Sequence, residues 1–342
     1  MVTAAEAATS QQLRARSLPR PVLVGQYPTP LHDLPWLSSR IGRRVVVKRD
    51  DLSGLALGGN KARKLGYLIA DALNQGCDTL LSVGFVQSNN VVQSAAAATQ
   101  FGLRSIVCLD GTRPGTVRGN VLLGEIYGVE FVYTEGRPVA AVYGELEARV
   151  RSEGRRPYVL PPGGSTPVGI RGFVDAVEEV RSQVLSLGLR VDTIVLPTGT
   201  GGTQAGLVLG ALAAGWEVSI LGISTGKSAG EMEMSMAQMI GGTASYLGLD
   251  VPPADARLRV DDRFYGAGYA KPDSSDFEAI RLLARGDGLL CDPVYNGRAM
   301  KGLLRLAEMG RLPGKGDLIY WHTGGAPALF AFDAPTTGAA LD

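Results

Sequence analysis

Residues 56–73 read ALGGNKARKLGYLIADAL. Two glycines and an asparagine stand directly before Lys61, and a helix follows. Leu65, Leu68, Ile69, Ala72 and Leu73 recur at the spacing of one helical face. A surface lysine needs no such setting, whereas a lysine that must meet a bound molecule at a fixed place does. At a helix start a cation faces the positive end of the peptide dipoles. That lowers an amine's pKa and makes it a better nucleophile for a carbonyl.

Outward from this segment the chain alternates. RRVVVKRDD (43–51) reads as a strand before it, and DTLLSVG (78–84) as a short buried strand after it. QSNNVVQSAAAATQFG (87–102) is a helix with a polar start and a glycine stop. RSIVCLDG, RGNVLLGEIYG and VEFVYTE continue as strand, helix and strand, and residues 163–188 form a long helix. VDTIVLPTGTGG (191–202) is a strand ending in a glycine turn, followed by the helix TQAGLVLGALAAG and the strand EVSILGIS. This is the pattern of a parallel α/β protein with right-handed crossovers. In such sheets ligands sit beyond the carboxyl ends of the strands. SVGFVQSNN, LPTGTGGTQAG and LGISTGKS all fall there.

The 342 residues are 45% hydrophobic and 20% charged, enough for two domains or one large one. A net charge of +1 points to neither nucleic acid nor an anionic membrane. No apolar run approaches the roughly 20 residues of a membrane span. The first 21 residues lack the apolar core of a secretory signal and read as a short tail; Arg14, Arg16 and Arg20 also admit a transit peptide. Cys77, Cys108 and Cys291 are unclustered, and His occurs only at positions 32 and 322. Free thiols in a reducing compartment, the cytoplasm, are expected, with no metal site.

Gly199, Thr200, Gly201, Gly202 and Thr203 end an apolar strand and open a helix. Bare N–H groups there make an anion cradle, and glycine lets phosphate oxygens approach. The run is no dinucleotide fingerprint, because Gln204 stands at its sixth position. LGISTGKS is one residue short of a P-loop, so Lys227 is expected to be a solvated side chain. A lysine together with a separate phosphate cradle suggests a phosphorylated aldehyde held as a Schiff base, which is pyridoxal phosphate.

The segments PTPLHDL, KRDDLSGLALGGNKARKL, VGFVQSNN, LPPGGSTPVGIRGF, LPTGTGGTQAGL, YGAGYAKPD, LLCDPVYNGRAMKGL and HTGGAPALF occur in this order from Pro28 to Phe330. Together they resemble the pyridoxal-phosphate enzymes of the tryptophan-synthase β fold (fold type II). Within these they resemble the group holding D-cysteine desulfhydrase and 1-aminocyclopropane-1-carboxylate (ACC) deaminase. The resemblance implies a two-domain α/β enzyme, each domain a mostly parallel twisted sheet flanked by helices. Residues 1–61 with 176–342 would form the large cofactor-binding domain, and 62–175 a small inserted domain that closes over substrate. It implies pyridoxal 5'-phosphate as cofactor, a small amino acid as substrate, and a homodimer.

Position by position, the resemblance makes Lys61 the Schiff-base lysine and the proton shuttle at the substrate's Cα. Lys64 and the loop from Gly199 to Thr203 would hold the phosphate. Asn60 and Asn89 would contact the cofactor, Asn89 at its ring hydroxyl. Ser88 would bind the substrate carboxylate, with Asn89 and Asn90 beside it, and Tyr269 and Tyr295 would face the substrate as phenols. Gly58–Asn60 would clear the space where the flat ring lies. Ser88 and Asn89 as plain helix caps are the structural alternative, and core packing is that of Tyr295.

Two positions depart from the pattern. Where ACC deaminases carry a Glu near the pyridine nitrogen, this chain has Asn296, as neutral as the Thr of desulfhydrase-like members. A weaker electron sink favours elimination of a good leaving group over opening a cyclopropane. After QSN, relatives show His or Gln and then an Arg; here the residues are Asn90, Val91 and Val92. The expected reaction is β-elimination from D-cysteine to pyruvate, ammonia and sulfide. ACC deamination, a sulfo-lyase or β-replacement reaction, racemisation and a non-catalytic phosphate-binding protein are the alternatives.

Overall fold

The computed structural model describes residues 18–251 and 256–333. Residues 1–17 of the expected tail, Arg14 and Arg16 among them, lie outside the described residues. The chain runs β1 (Leu31–Asp33), α1 (Pro35–Ile41), β2 (Val45–Arg49), α2 (Lys61–Asn74), β3 (Thr79–Phe85), α3 (Asn89–Gln100) and β4 (Arg104–Asp110). It continues α4 (Gly119–Ile126), β5 (Glu130–Tyr133), α5 (Val139–Ser152), β6 (Pro157–Val159), α6 (Pro167–Ser186), β7 (Val191–Thr198) and α7 (Gly202–Ala213). It ends β8 (Ser219–Ser224), α8 (Ala229–Leu247), β9 (Arg259–Asp261), α9 (Ser274–Asp287), α10 (Asn296–Glu308), β10 (Asp317–His322) and α11 (Ala326–Leu329).

Two sheets result. The larger has the order β1-β2-β10-β7-β8-β9 and the smaller β5-β4-β3-β6. Every pairing is parallel except β1 with β2. Strands buried on both faces read as continuous apolar runs, as Ser105–Leu109 and Thr193–Thr198 do, buried throughout. One face of the large sheet packs on α6, α7 and α8 through Phe173, Val177, Leu207, Met236 and Trp321. The other packs on α1, α9 and α10 through Leu37, Ile280, Leu283, Met300 and Leu303. The small sheet carries α2 and α3 on one side and α5 on the other.

The small sheet lies wholly within residues 62–175 and the large sheet wholly outside them. The proposed boundaries fall at the start of α2 and within α6. Val168, near the start of α6, packs into the core under the small sheet, whereas Phe173, Ala176 and Val177 belong to the large one. Gly172 makes the close crossing possible, since a Cβ there would stand 2.2 Å from the Arg63 carbonyl oxygen on α2. Thr166 caps α6 by accepting the Gly169 N–H at 3.2 Å, with Pro167 at the first helical position.

A buried ionic cluster pins the first turn of α2. The Arg63 guanidinium bonds both oxygens of Asp50 and both of Glu179, at 2.8–3.0 Å. Lys48 reaches Glu179 at 2.5 Å and the Thr29 carbonyl at 2.6 Å. Trp321 Nε1 donates to Asp50 at 2.8 Å, tying the cluster to β10. Two cations and two carboxylates thus offset one another where either alone would be costly.

Candidate active site

The carboxyl ends of β3, β7, β8 and β10 converge on a cavity of ≈ 460 Å³ that also receives the start of α2. Of the expected residues, Asn60, Lys61, Ser88, Asn89, Asn90, Gly199, Thr200, Gly201, Thr203, Tyr269 and Tyr295 border it. Lys64, Gly202 and Asn296 stand just behind its wall.

Lys61 is the first residue of α2, and its Nζ lies 3.0 Å from the Asn60 Oδ1. Its amine is pushed down to about 8, chiefly by burial, while the carboxylates of Asp292 and Asp50 pull it back up. Desolvation favours the neutral amine. Its entry is fixed by β10: Asn60 N donates to the Thr323 carbonyl at 3.0 Å, and Gly59 pairs with Gly324.

The two glycines before it serve packing and do not clear space for a ring. A Cβ on Gly58, at φ +83°, would fall 1.7 Å from the Asp51 carbonyl oxygen. One on Gly59, at φ +148°, would fall 2.2 Å from Gln93 Nε2. Neither glycine borders the cavity.

Lys64 lies one turn along α2, fully buried, with its Nζ 3.1 Å from the Gly163 carbonyl and 3.0 Å from Ser165 Oγ. Among the described residues no carboxylate pairs with it. Burial, and next the Lys61 charge, hold its amine well below the usual lysine range. Gly202 covers it: a Cβ there would sit 2.5 Å from the Lys64 Nζ and 2.4 Å from Ser165 Oγ. Gly201, at φ +87°, turns the chain into α7, where the first N–H groups of the helix lack helical partners. Thr200 Oγ1 lies 2.9 Å from Ser165 Oγ. An uncompensated buried amine beneath a glycine-opened helix start is a good fit for a phosphate.

Ser88 occupies the N-cap position of α3, yet its side chain makes no capping bond, so the plain-cap reading of this serine does not hold. Asn89 Oδ1 accepts from Asn120 Nδ2 at 2.7 Å. Asn90 is 6% exposed and its Nδ2 has no partner. The Asn90 amide therefore has an unused donor at the cavity's border.

Tyr269 and Tyr295 hydrogen-bond hydroxyl to hydroxyl, with their rings crossed at 70°. Burial pushes Tyr269 up to about 12 and Tyr295 well above the ordinary phenol range. Both therefore stay protonated at neutral pH, one hydroxyl donating to the other and leaving one proton of the pair free. Phe85 packs on Tyr269 with centroids 4.6 Å apart.

Asn296 begins α10 and is completely buried. Its amide donates inward, to Asp292 Oδ1 at 2.8 Å and the Gly324 carbonyl at 2.6 Å. Thr323 borders the cavity in front of it. Nothing in the HTGG segment marks Thr323 as a site residue in the sequence. Lys227, expected to be merely solvated, is exposed but also stands at the cavity's edge.

The chain is similar to known proteins along most of its length. A family model described as "pyridoxal-phosphate dependent enzyme" matches residues 22–324. A Yersinia pestis protein named D-cysteine desulfhydrase is 39% identical over 94% of this chain and 98% of its own length. A Pyrococcus abyssi protein named putative 1-aminocyclopropane-1-carboxylate deaminase is 38% identical over 92% of this chain and 94% of its own. A crystal structure of an ACC deaminase homologue superposes with a TM-score of 0.85 at 36% identity, covering 94% of this chain and 96% of that one.

Proposed function

Since the chain belongs to the pyridoxal-phosphate dependent enzyme family, we propose that it is a lyase removing the β-substituent of a small amino acid, D-cysteine foremost. Its products from D-cysteine are pyruvate, ammonia and sulfide. The observation that carries this reading is a single cavity bordered by an amine near 8, a pair of protonated phenols and an unpartnered buried amide. Pyridoxal 5'-phosphate supplies, when bound, an aldehyde that captures amines and a ring that accepts electrons from the substrate's Cα.

The residues divide the remaining work. The Lys64 ammonium and the N–H groups from Gly199 to Thr203 hold the phosphate. Asn89 addresses the ring hydroxyl. Ser88 and Asn90 receive the substrate carboxylate, the Asn90 amide giving the donor that the missing Arg would otherwise give. Lys61, whose amine burial brings down to about 8, takes the Cα proton onto Nζ in its neutral form. As the Cβ–S bond breaks, sulfur leaves with its electron pair and takes a proton from the Tyr269–Tyr295 pair. The enamine left behind hydrolyses in water to pyruvate and ammonia. Closure of residues 62–175 over the substrate would exclude water.

Asn296 turns its amide donors away from the cavity, to Asp292 and the Gly324 carbonyl, so the choice between D-cysteine and ACC rests on the substrate assay. No described helix is long and apolar enough to cross a membrane, and the cysteines are free. A cytoplasmic homodimer is the setting we propose.

Keto acid and sulfide release from D-cysteine, L-cysteine, cysteate and ACC, measured side by side, test the reading. Pyruvate and sulfide from D-cysteine in preference to the others support it. Pyruvate-free turnover of ACC to 2-ketobutyrate, or cofactor-loaded protein inert on all four, would overturn it.

A further inference from the structure

Behind Thr323 lies a chain of hydrogen bonds that the reaction above leaves unused. Asp292 is fully buried, and each of its four hydrogen-bond partners is an N–H donor. Val294 N and Tyr295 N reach its Oδ2 at 3.0 and 2.8 Å. Asn296 N and Asn296 Nδ2 reach its Oδ1 at 2.9 and 2.8 Å. Burial pushes Asp292 above the ordinary carboxylate range and the N–H donors from Asn296 and Tyr295 pull it back; since a carboxyl proton would find no acceptor among these four partners, the group is a carboxylate.

Asn296 passes that charge on. Its Nδ2 has two protons and three acceptors in reach: the Gly324 carbonyl at 2.6 Å, Asp292 Oδ1 at 2.8 Å and Thr323 Oγ1 at 3.2 Å. The two shorter contacts use both protons. Its Oδ1 accepts from Thr323 N at 3.0 Å and lies 3.4 Å from the Thr323 hydroxyl. A flipped amide would set oxygen against a carboxylate and a carbonyl, so Asp292 dictates the amide's orientation. The Thr323 hydroxyl is then left to donate to Asn296 Oδ1, with a lone pair free on the side of the cavity.

An ordinary helix cap accounts for part of this. Asp292 precedes α10, and a carboxylate at a helix start is favourable. The backbone N–H groups alone would complete such a cap. Nothing in capping requires the side-chain amide of Asn296 or its onward bonds to a cavity residue.

We propose that Asp292 is a positioning residue that sets the proton polarity of the Thr323 wall, making the Thr323 hydroxyl an acceptor so that the pyridine nitrogen of the bound cofactor is held there protonated. This rests on the functional reading above and deepens it. The counter-charge that a carboxylate at position 296 would give directly is given instead from 292, through one amide and one hydroxyl. The Asp292 charge also supports protonation of Lys61, so a single buried carboxylate reaches both the attachment lysine and the far end of the site.

The test is the nitrogen-15 NMR signal of pyridoxal phosphate labelled at the ring nitrogen and bound to the holoenzyme. Its chemical shift separates protonated from bare nitrogen without reference to turnover. The wild type is expected to give the protonated signal at neutral pH, and Asp292→Asn to move it toward the unprotonated position. Should Asp292→Asn fail to fold, Thr323→Val cuts the chain at the wall with Asp292 intact, and the same movement is expected. A bare nitrogen in the wild type, or a protonated signal that survives in the variants, overturns the proposal. A wild type that takes up no labelled cofactor overturns the functional reading itself.

Discussion

Lys61 is where pH presses hardest on this site. Its amine sits at about 8 in place of the ordinary 10.5 because burial disfavours the ammonium. At pH 7 an amine titrating near 8 is neutral in about one molecule in ten, against about one in three thousand at the ordinary value. The gain in reactive amine is about 300-fold, and only the neutral amine attacks a carbonyl. Cofactor-free protein should therefore take up pyridoxal phosphate at a rate that rises about tenfold per pH unit below 8 and is flat above it. Stopped-flow absorbance in the visible range measures this directly. Pyridoxal, which lacks the phosphate, should give the same profile and so removes phosphate ionisation as the cause. The Asp292 carboxylate holds the proton on Lys61; Asp292→Asn should start the plateau at a lower pH. A wild-type rate that climbs steadily to pH 10, or a variant profile displaced upward, would refute the desolvation account.

Three further substitutions probe the surroundings. Gly202→Ala puts a Cβ 2.5 Å from Lys64 Nζ, so cofactor affinity should fall by about tenfold or more, read by equilibrium dialysis; unchanged affinity would remove the loop from the phosphate site. Arg63→Met leaves the buried Asp50 and half-buried Glu179 carboxylates short of their shared cation, and should cost on the order of 3–5 kcal/mol in urea unfolding. A cost below about 1 kcal/mol would mean that the cluster is not what pins α2. Tyr295→Phe should lower kcat for D-cysteine by about 100-fold or more with a smaller change in KM; a kcat within a few-fold of wild type would leave the leaving-group proton to another donor.

What could be read from the chain follows the range of the interactions. The α2 periodicity, the glycine–threonine turn after β7 and the alternation of strand and helix are local patterns, and each appears where it was expected. Strand β10 was not recognised in the run of elements, although it lies at the centre of the large sheet between β2 and β7. Its six residues, DLIYWH, have polar ends and no flanking periodicity to mark them. Thr323 was passed over for a similar reason: its partner Asn296 lies 27 residues earlier, and a threonine after a strand carries no signal of its own. Asn296 was placed beside the cofactor, but its side-chain direction depends on Asp292 and Gly324, which no spacing reveals. The Gly58 and Gly59 pair was legible as special and illegible in cause, because the atoms that exclude a Cβ belong to Asp51 and Gln93. Arg63 and Glu179 meet across 116 positions, so their cluster is visible only once α2 and α6 cross.

Everything in this account turns on which lysine carries the cofactor. Borohydride reduction of the cofactor-loaded protein, followed by proteolysis and mass spectrometry, fixes the pyridoxyl group to one peptide. The pyridoxyl group is expected on Lys61, and Lys61→Ala is expected to lose both the mass and the visible absorbance band. Modification of Lys64 or Lys227 in its place, or a Lys61→Ala protein that keeps the band and its turnover, would contradict it.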